Sequence, residues 1–149
     1  MQISIGNDHR GVMIKAKLQN TLEQLGHHVF DDGASEGESS DYPDIAKIVA
    51  QRVSLGEADR GILICGTGIG MAIAANKIPG IRAITCGDLA TAEICRRHND
   101  VNVLCLAQDF VEHGEFQPVL KKWLETEFEG GRHERRVNKI TALENNANP

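Results

Sequence analysis

The chain has 149 residues, 41% of them hydrophobic and 25% charged, with a formal net charge of −5. That size and balance fit one soluble domain, residues 1–149, with a single core, and exclude a low-complexity or disordered chain. The acidic balance argues against nucleic acid as a partner, and no apolar run approaches the roughly 20 residues that span a bilayer. The amino terminus lacks the basic start and apolar core of a secretory signal. Cys65, Cys86, Cys95 and Cys105 form no C-x-x-C pair. Free thiols in a reducing cytoplasm are therefore expected, with neither a structural zinc nor a redox dithiol.

Short apolar runs alternate with segments of helical period. Gln2–Gly6 reads as a first strand. Ile14, Leu18, Leu22 and Leu25 then recur every three or four residues, and Gly26 ends that helix. His28–Asp32 is the second strand. Ile45, Ile48, Val49 and Val53 form the next helical stripe, started by Pro43 and stopped by Gly56. Gly61–Cys65 is apolar throughout, as expected of a central strand covered on both faces. An Ala-rich helix, Met71–Ala75, follows it, and strands are expected at Arg82–Thr85 and Asn102–Leu106. Phe116, Val119, Leu120, Trp123 and Leu124 make another clear stripe. The last candidate helix, about Arg132–Glu144, carries only Val137, Ile140 and Leu143 on one side, which suits an arm over about 130–149 that packs on a neighbouring subunit. The pattern predicts an α/β fold: a Rossmann-like, doubly wound, five-stranded parallel sheet in three layers with a C-terminal helical arm.

Such a sheet takes its ligand outside the carboxyl ends of its strands, and the unusual residues fall there. The loop Cys65-Gly66-Thr67-Gly68-Ile69-Gly70 leads from a strand into a helix. Its backbone N–H groups suit an anion, either phosphate or a developing enediolate, and the same field favours Cys65 as a base or nucleophile over a merely structural cysteine. The G-x-G-x-G spacing also invites a dinucleotide, with Asp88 about 20 residues on. Met71 stands where the third glycine of that fingerprint belongs, so NAD is not expected. No Gly-Lys-Ser/Thr follows, which excludes a Walker A loop.

Asp8 and His9 follow the first strand and could orient hydroxyls or pair with phosphate, or equally Asp8 could cap the first helix beside a solvated His9. His98-Asn99-Asp100 offers a general acid or simply a polar turn. Arg132 and Arg136 lie four apart, on one face of a helix, where they could clamp a phosphate or form a solvated basic face with Glu129 and Glu134.

Taken together, Gly6-x-Asp8-His9, Asp41-Tyr42-Pro43, Ile64-Cys65-Gly66-Thr67-Gly68-Ile69-Gly70, Ala75-Asn76-Lys77, Gly80-Ile81-Arg82-Ala83, His98-Asn99-Asp100-x-Asn102-Val103 and Glu129-Gly130-Gly131-Arg132-His133-x-x-Arg136 run nearly end to end. In this order the chain resembles the ribose-5-phosphate isomerase B family, which also contains the galactose-6-phosphate isomerase subunits. The resemblance implies an aldose–ketose isomerase of a phosphosugar with no metal or organic cofactor. It implies Cys65 as the proton-shuttling base, Gly66–Gly70 with Thr67 as the oxyanion site, and His98, assisted by Asp8, as the ring-opening acid. Asn99 and Asp8 would meet sugar hydroxyls, Tyr42 would line the substrate, and His9, Arg132 and Arg136 would hold the phosphate. His98, Asn99 and the arginines would come from a second subunit, giving a homodimer with shared sites that can pair into a tetramer. One position departs from the pattern. After the fifth strand the family shows Gly-x-Arg, whereas Ala107-Gln108-Asp109 places a carboxylate there, which keeps a longer phosphosugar such as allose or galactose 6-phosphate as a second reading.

Overall fold

The apolar run around Ile62 is the middle of the molecule. In the computed structural model, which describes residues 1–37, 39–108 and 116–145, the strand β3 (Arg60–Cys65) is buried at every position. Its neighbours are β1 (Gln2–Asn7) and β5 (Val103–Ala107), and the edges are β2 (His28–Asp31) and β4 (Ala83–Thr85). All four pairings are parallel, in the order β2-β1-β3-β5-β4. The expected five-stranded parallel sheet is thus present.

Because side chains alternate along a strand, β3 feeds two cores. Ile62 and Ile64 pack with Leu18 and Leu22 of α1 (Val12–Gln24), Ala92 and Cys95 of α4 (Leu89–Asn99), and Leu120 and Trp123 of α5 (Phe116–Glu125). Leu63 and Cys65 face the other way, against Ile45 and Val49 of α2 (Tyr42–Ser54) and Met71 and Ala75 of α3 (Ile69–Ala75). The helix layer on that side sits close to the sheet because Gly6 and Gly61 present no side chain there. A Cβ on Gly6 would come within 2.7 Å of Ile45, and one on Gly61 within 2.8 Å of Val49.

Several expectations are corrected at element ends and edges. Ile48 is 44% exposed, since the buried face of α2 centres on Ala46, Val49, Ala50 and Val53. Leu25 caps α1 rather than joining its stripe. Arg82 is not in β4, because its N–H donates to Asn102 Oδ1 (2.8 Å) instead of a strand partner. α6 (Arg132–Asn145) buries His133 and Val137 and leaves Ile140 and Leu143 exposed. Asp109 lies outside the described residues. Among those residues no helix is long and apolar enough to cross a membrane.

Candidate active site

The strand order reverses direction between β1 and β3, and the carboxyl ends of that pair open a crevice of the kind where doubly wound sheets bind ligands. Asn7 of β1 lies opposite Ile64 of β3, so the residues that follow, Asp8 and Cys65, come out side by side. They form a cleft of about 400 Å³ lined by Asp8, Arg10, Tyr42, Cys65, Gly66, Thr67, Ile69 and Gly70.

Each wall has a local cause. On the β1 side, Asp8 N–H donates to Ile64 O (3.1 Å), which ties the loop to β3. The Asp8 carboxylate accepts the Arg10 N–H (2.9 Å), and Gly11 N–H closes the turn on Asp8 O (3.1 Å). Asp8 is therefore a buried turn residue and not the cap of α1, which is Gly11. On the β3 side, Cys65 is 5% exposed, and its Sγ accepts the Gly68 N–H at 3.1 Å, which fixes the sulfur against the glycine loop. Gly68 turns that loop with φ +73°, a conformation costly for any residue with a Cβ. Thr67 Oγ1 accepts the Ile69 N–H at 3.3 Å. Tyr42 lies directly over Gly70, where a Cβ would come within 2.7 Å of the ring.

The other three cysteines are chemically quieter. Burial pushes the thiols of Cys86 and Cys95 up, the latter to about 12, and raises fully buried Cys105 as well. Asp88, the ribose contact that a dinucleotide reading would need, instead caps α4 by accepting Thr91 N–H at 2.8 Å and Thr91 Oγ1 at 2.7 Å.

The remaining predicted residues sit elsewhere. His9 is exposed and does not line the cleft. His98 and Asn99 close the last turn of α4, which feeds the amino end of β5, so within one chain they are at the opposite end of the sheet from Cys65. Asn99 borders a separate hollow of about 470 Å³ between β4 and α6, with Ile84, Ile140 and Leu143. The His98 ring stacks on His133, centroids 4.0 Å apart and 6° from parallel. Arg132 and Arg136 are exposed on α6, and Arg132 Nε points at His133 Nε2 (3.3 Å).

Glu129 organises this second cluster. It accepts Arg97 Nε at 2.6 Å and lies 3.4 Å from His133 Nε2 and 3.8 Å from His98 Nε2. The Arg97 bond holds its carboxyl below the usual carboxylate range. Burial and the neighbouring His98 and Arg132 hold His133 below the ordinary histidine value. His98, Glu129 and His133 bring three donor atoms within 4.8 Å, a metal-like spacing. With Arg97 already neutralising the only carboxylate and Arg132 beside His133, the cluster's charge suits an anion far better than a metal cation. Sequence reading missed Arg10, Arg97 and His133. Arg10 was adjacent to a recognised motif, while the stack of His133 on His98 joins residues 35 positions apart.

A family model described as ribose/galactose isomerase matches residues 3–140. Ribose-5-phosphate isomerase B of Escherichia coli is 44% identical over 147 residues, 99% of each chain. The solved ribose-5-phosphate isomerase B of Clostridium thermocellum superposes with a TM-score of 0.95 at 46% identity, covering 99% of both chains. That of Mycoplasma genitalium, solved with bound ribulose-5-phosphate, gives 0.88 at 38% identity over 97% of this chain and 96% of its own. On this evidence the chain belongs to the ribose/galactose isomerase family, as an aldose–ketose isomerase of the ribose-5-phosphate isomerase B type.

Proposed function

We propose that the chain interconverts ribose 5-phosphate and ribulose 5-phosphate through a cis-enediolate, with Cys65 as the base. The observation that carries this reading is the Cys65 sulfur, anchored by Gly68 N–H on the wall of a cleft that also holds Asp8 and Thr67. The likeness to the M. genitalium protein with bound ribulose-5-phosphate supports the choice of sugar.

In this reading the reaction needs only acid–base groups and an oxyanion site. His98 gives a proton to the ring oxygen as the C1–O4 bond breaks, while Asp8 accepts the proton of the C1 hydroxyl. The Cys65 thiolate then removes the C2 proton. The C2–H electron pair becomes the C1–C2 double bond, and the carbonyl pair moves onto O1. Thr67 and the backbone N–H groups of Gly66–Gly70 stabilise that oxyanion. A proton passes from O2 to O1, C2 becomes the carbonyl, and Cys65 returns its proton to C1. Asn99 holds hydroxyls, Tyr42 flanks the sugar, and His9, Arg132 and Arg136 hold the phosphate, whose binding positions the reacting carbons. No metal or organic cofactor enters these steps.

His98, Asn99 and the two arginines serve this cleft from a second copy of the chain, so the active unit is a homodimer with two shared sites. Their position at the far end of the sheet from Cys65 supports that arrangement. We place the enzyme in the cytoplasm, where four free buried thiols stay reduced. A coupled assay over pentose and hexose phosphates, with a metal chelator present, tests the reading. Ribose 5-phosphate is expected to turn over fastest. Preference for allose or galactose 6-phosphate would favour the second reading, whose motive is Asp109 in place of the family's arginine. Absence of turnover on every phosphosugar would leave only a binding module.

A further inference from the structure

We propose that Glu129 is a positioning residue for the ring-opening step, acting with the His133 ring to hold His98 in place and to keep on it the proton it must give. The inference rests on the isomerase reading above and adds to it a carboxylate that those steps leave unused. To protonate the ring oxygen, His98 must first carry a positive charge, close to Arg97 and to the arginines beside His133. A counterion has to stand there, and its position is built by the turn between α5 and α6.

Gly130 (φ +68°) and Gly131 (φ +57°) turn the chain back after Glu129, and His133 N–H donates to Gly130 O at 3.0 Å. That turn brings His133 Nε2 within 3.4 Å of the Glu129 carboxylate. On the other side, Glu129 N–H donates to Arg97 O (3.1 Å) and its carboxylate accepts Arg97 Nε (2.6 Å), while Arg97 Nη1 also donates to Glu93 (3.2 Å). Glu129 is thus fixed beside the residue that precedes His98, 3.8 Å from His98 Nε2, where it acts as a charge and not as a hydrogen-bond acceptor. The ring plane of His98 is set by the stack on buried His133.

Two imidazolium rings with centroids 4.0 Å apart repel, so the stack holds one positive charge. Arg132 Nε donates to His133 Nε2 at 3.3 Å, which occupies the lone pair a proton would need. Burial, His98, Arg132 and Arg136 hold His133 below the ordinary histidine value, against the pull of Glu129. The charge therefore falls to His98, in the last turn of α4, where the helix carbonyls favour a cation. Its side chain is 32% exposed, so the stack leaves it within reach of a ligand.

The test uses Glu129→Gln, which keeps the side-chain volume and an oxygen for Arg97 but removes the charge. Ribulose 5-phosphate is acyclic, because its C5 oxygen carries the phosphate, so its C1 hydrogen exchanges without ring opening. Glu129→Gln is expected to lower kcat on ribose 5-phosphate about tenfold, with KM within about twofold, while deuterium exchange into ribulose 5-phosphate stays within about twofold. Glu129→Asp is expected to recover part of the loss. Equal falls on both sugars, as a merely structural role would give, would overturn the proposal, and so would unchanged turnover on both. NMR titration of the His98 and His133 rings reads the same contact without turnover, and both midpoints should move to lower pH in Glu129→Gln. If the wild-type protein isomerises nothing, the isomerase reading fails and the titration alone decides the hold of Glu129 on the rings: a downward shift supports it, and unchanged midpoints overturn it.

Discussion

Asp32, the residue after β2, joins three parts of the chain through one carboxylate. It accepts Ser4 Oγ at 2.6 Å and both Arg52 Nε and Nη2 at 2.8 Å, while Arg52 also lies 4.6 Å from the centre of the Phe30 ring. Burial alone would raise its pKa, but the bonds from Arg52 and Ser4 outweigh it and hold the group below the usual carboxylate range. A depressed folded-state pKa contributes stability above the unfolded value of about 4, and loses it as pH falls through the folded one. Urea midpoints should therefore drop more steeply from about pH 5 to about pH 2 in the wild type than in Asp32→Asn. Parallel curves would mean that Asp32 has no such role. Residues of this kind were not legible in the sequence, because charged side chains of a surface loop follow no period. Cys65 and Asp8 were legible because each stands at the carboxyl end of an apolar strand, Cys65 beside Gly66 and Asp8 two residues after Gly6, where the fold concentrates chemistry.

At the scale of elements, strands and helices were legible wherever one face repeats. The apolar run of β3 and the α5 stripe appear at nearly the expected bounds, since burial on both faces or on one face dictates their composition. The ends were less legible because side chains decide them. Asn7 continues β1 by pairing with Ile64, and Ala107 continues β5 by pairing with Cys65. Asn102, expected to begin β5, spends its side chain on Arg82 N–H and Gly80 O. The close seating of α2 was also hidden, as it depends on which face Gly61 presents. A methyl there meets Val49 at 2.8 Å and Val103 at 3.2 Å, both deep in the core. Gly61→Ala should destabilise the fold by about 1–3 kcal/mol, read as a lower urea midpoint with the same m-value. An unchanged midpoint would show that α2 can retreat from the sheet without penalty.

At the scale of the whole molecule, parallel winding separates the predicted chemistry. It brings β1 and β3 loops together at the carboxyl ends and sends the end of α4, with His98 and Asn99, to the other end. Spacing in the sequence carries no sign of that separation, since residues 65 and 98 belong to consecutive units of the winding. α6 extends the divide, placing Arg132 beside His133 and the His98 stack. The proposed site, with Cys65 from one chain and His98 from another, is tested most directly by hybrid dimers. Differently tagged Cys65→Ala and His98→Ala chains would be co-expressed, the doubly tagged dimer purified, and solvent deuterium entering the phosphosugar measured. Each variant alone should lose exchange, while the hybrid, which has one intact site of two, should recover about half of the wild-type rate. A hybrid as inactive as its parents, or full exchange by Cys65→Ala alone, would contradict the account.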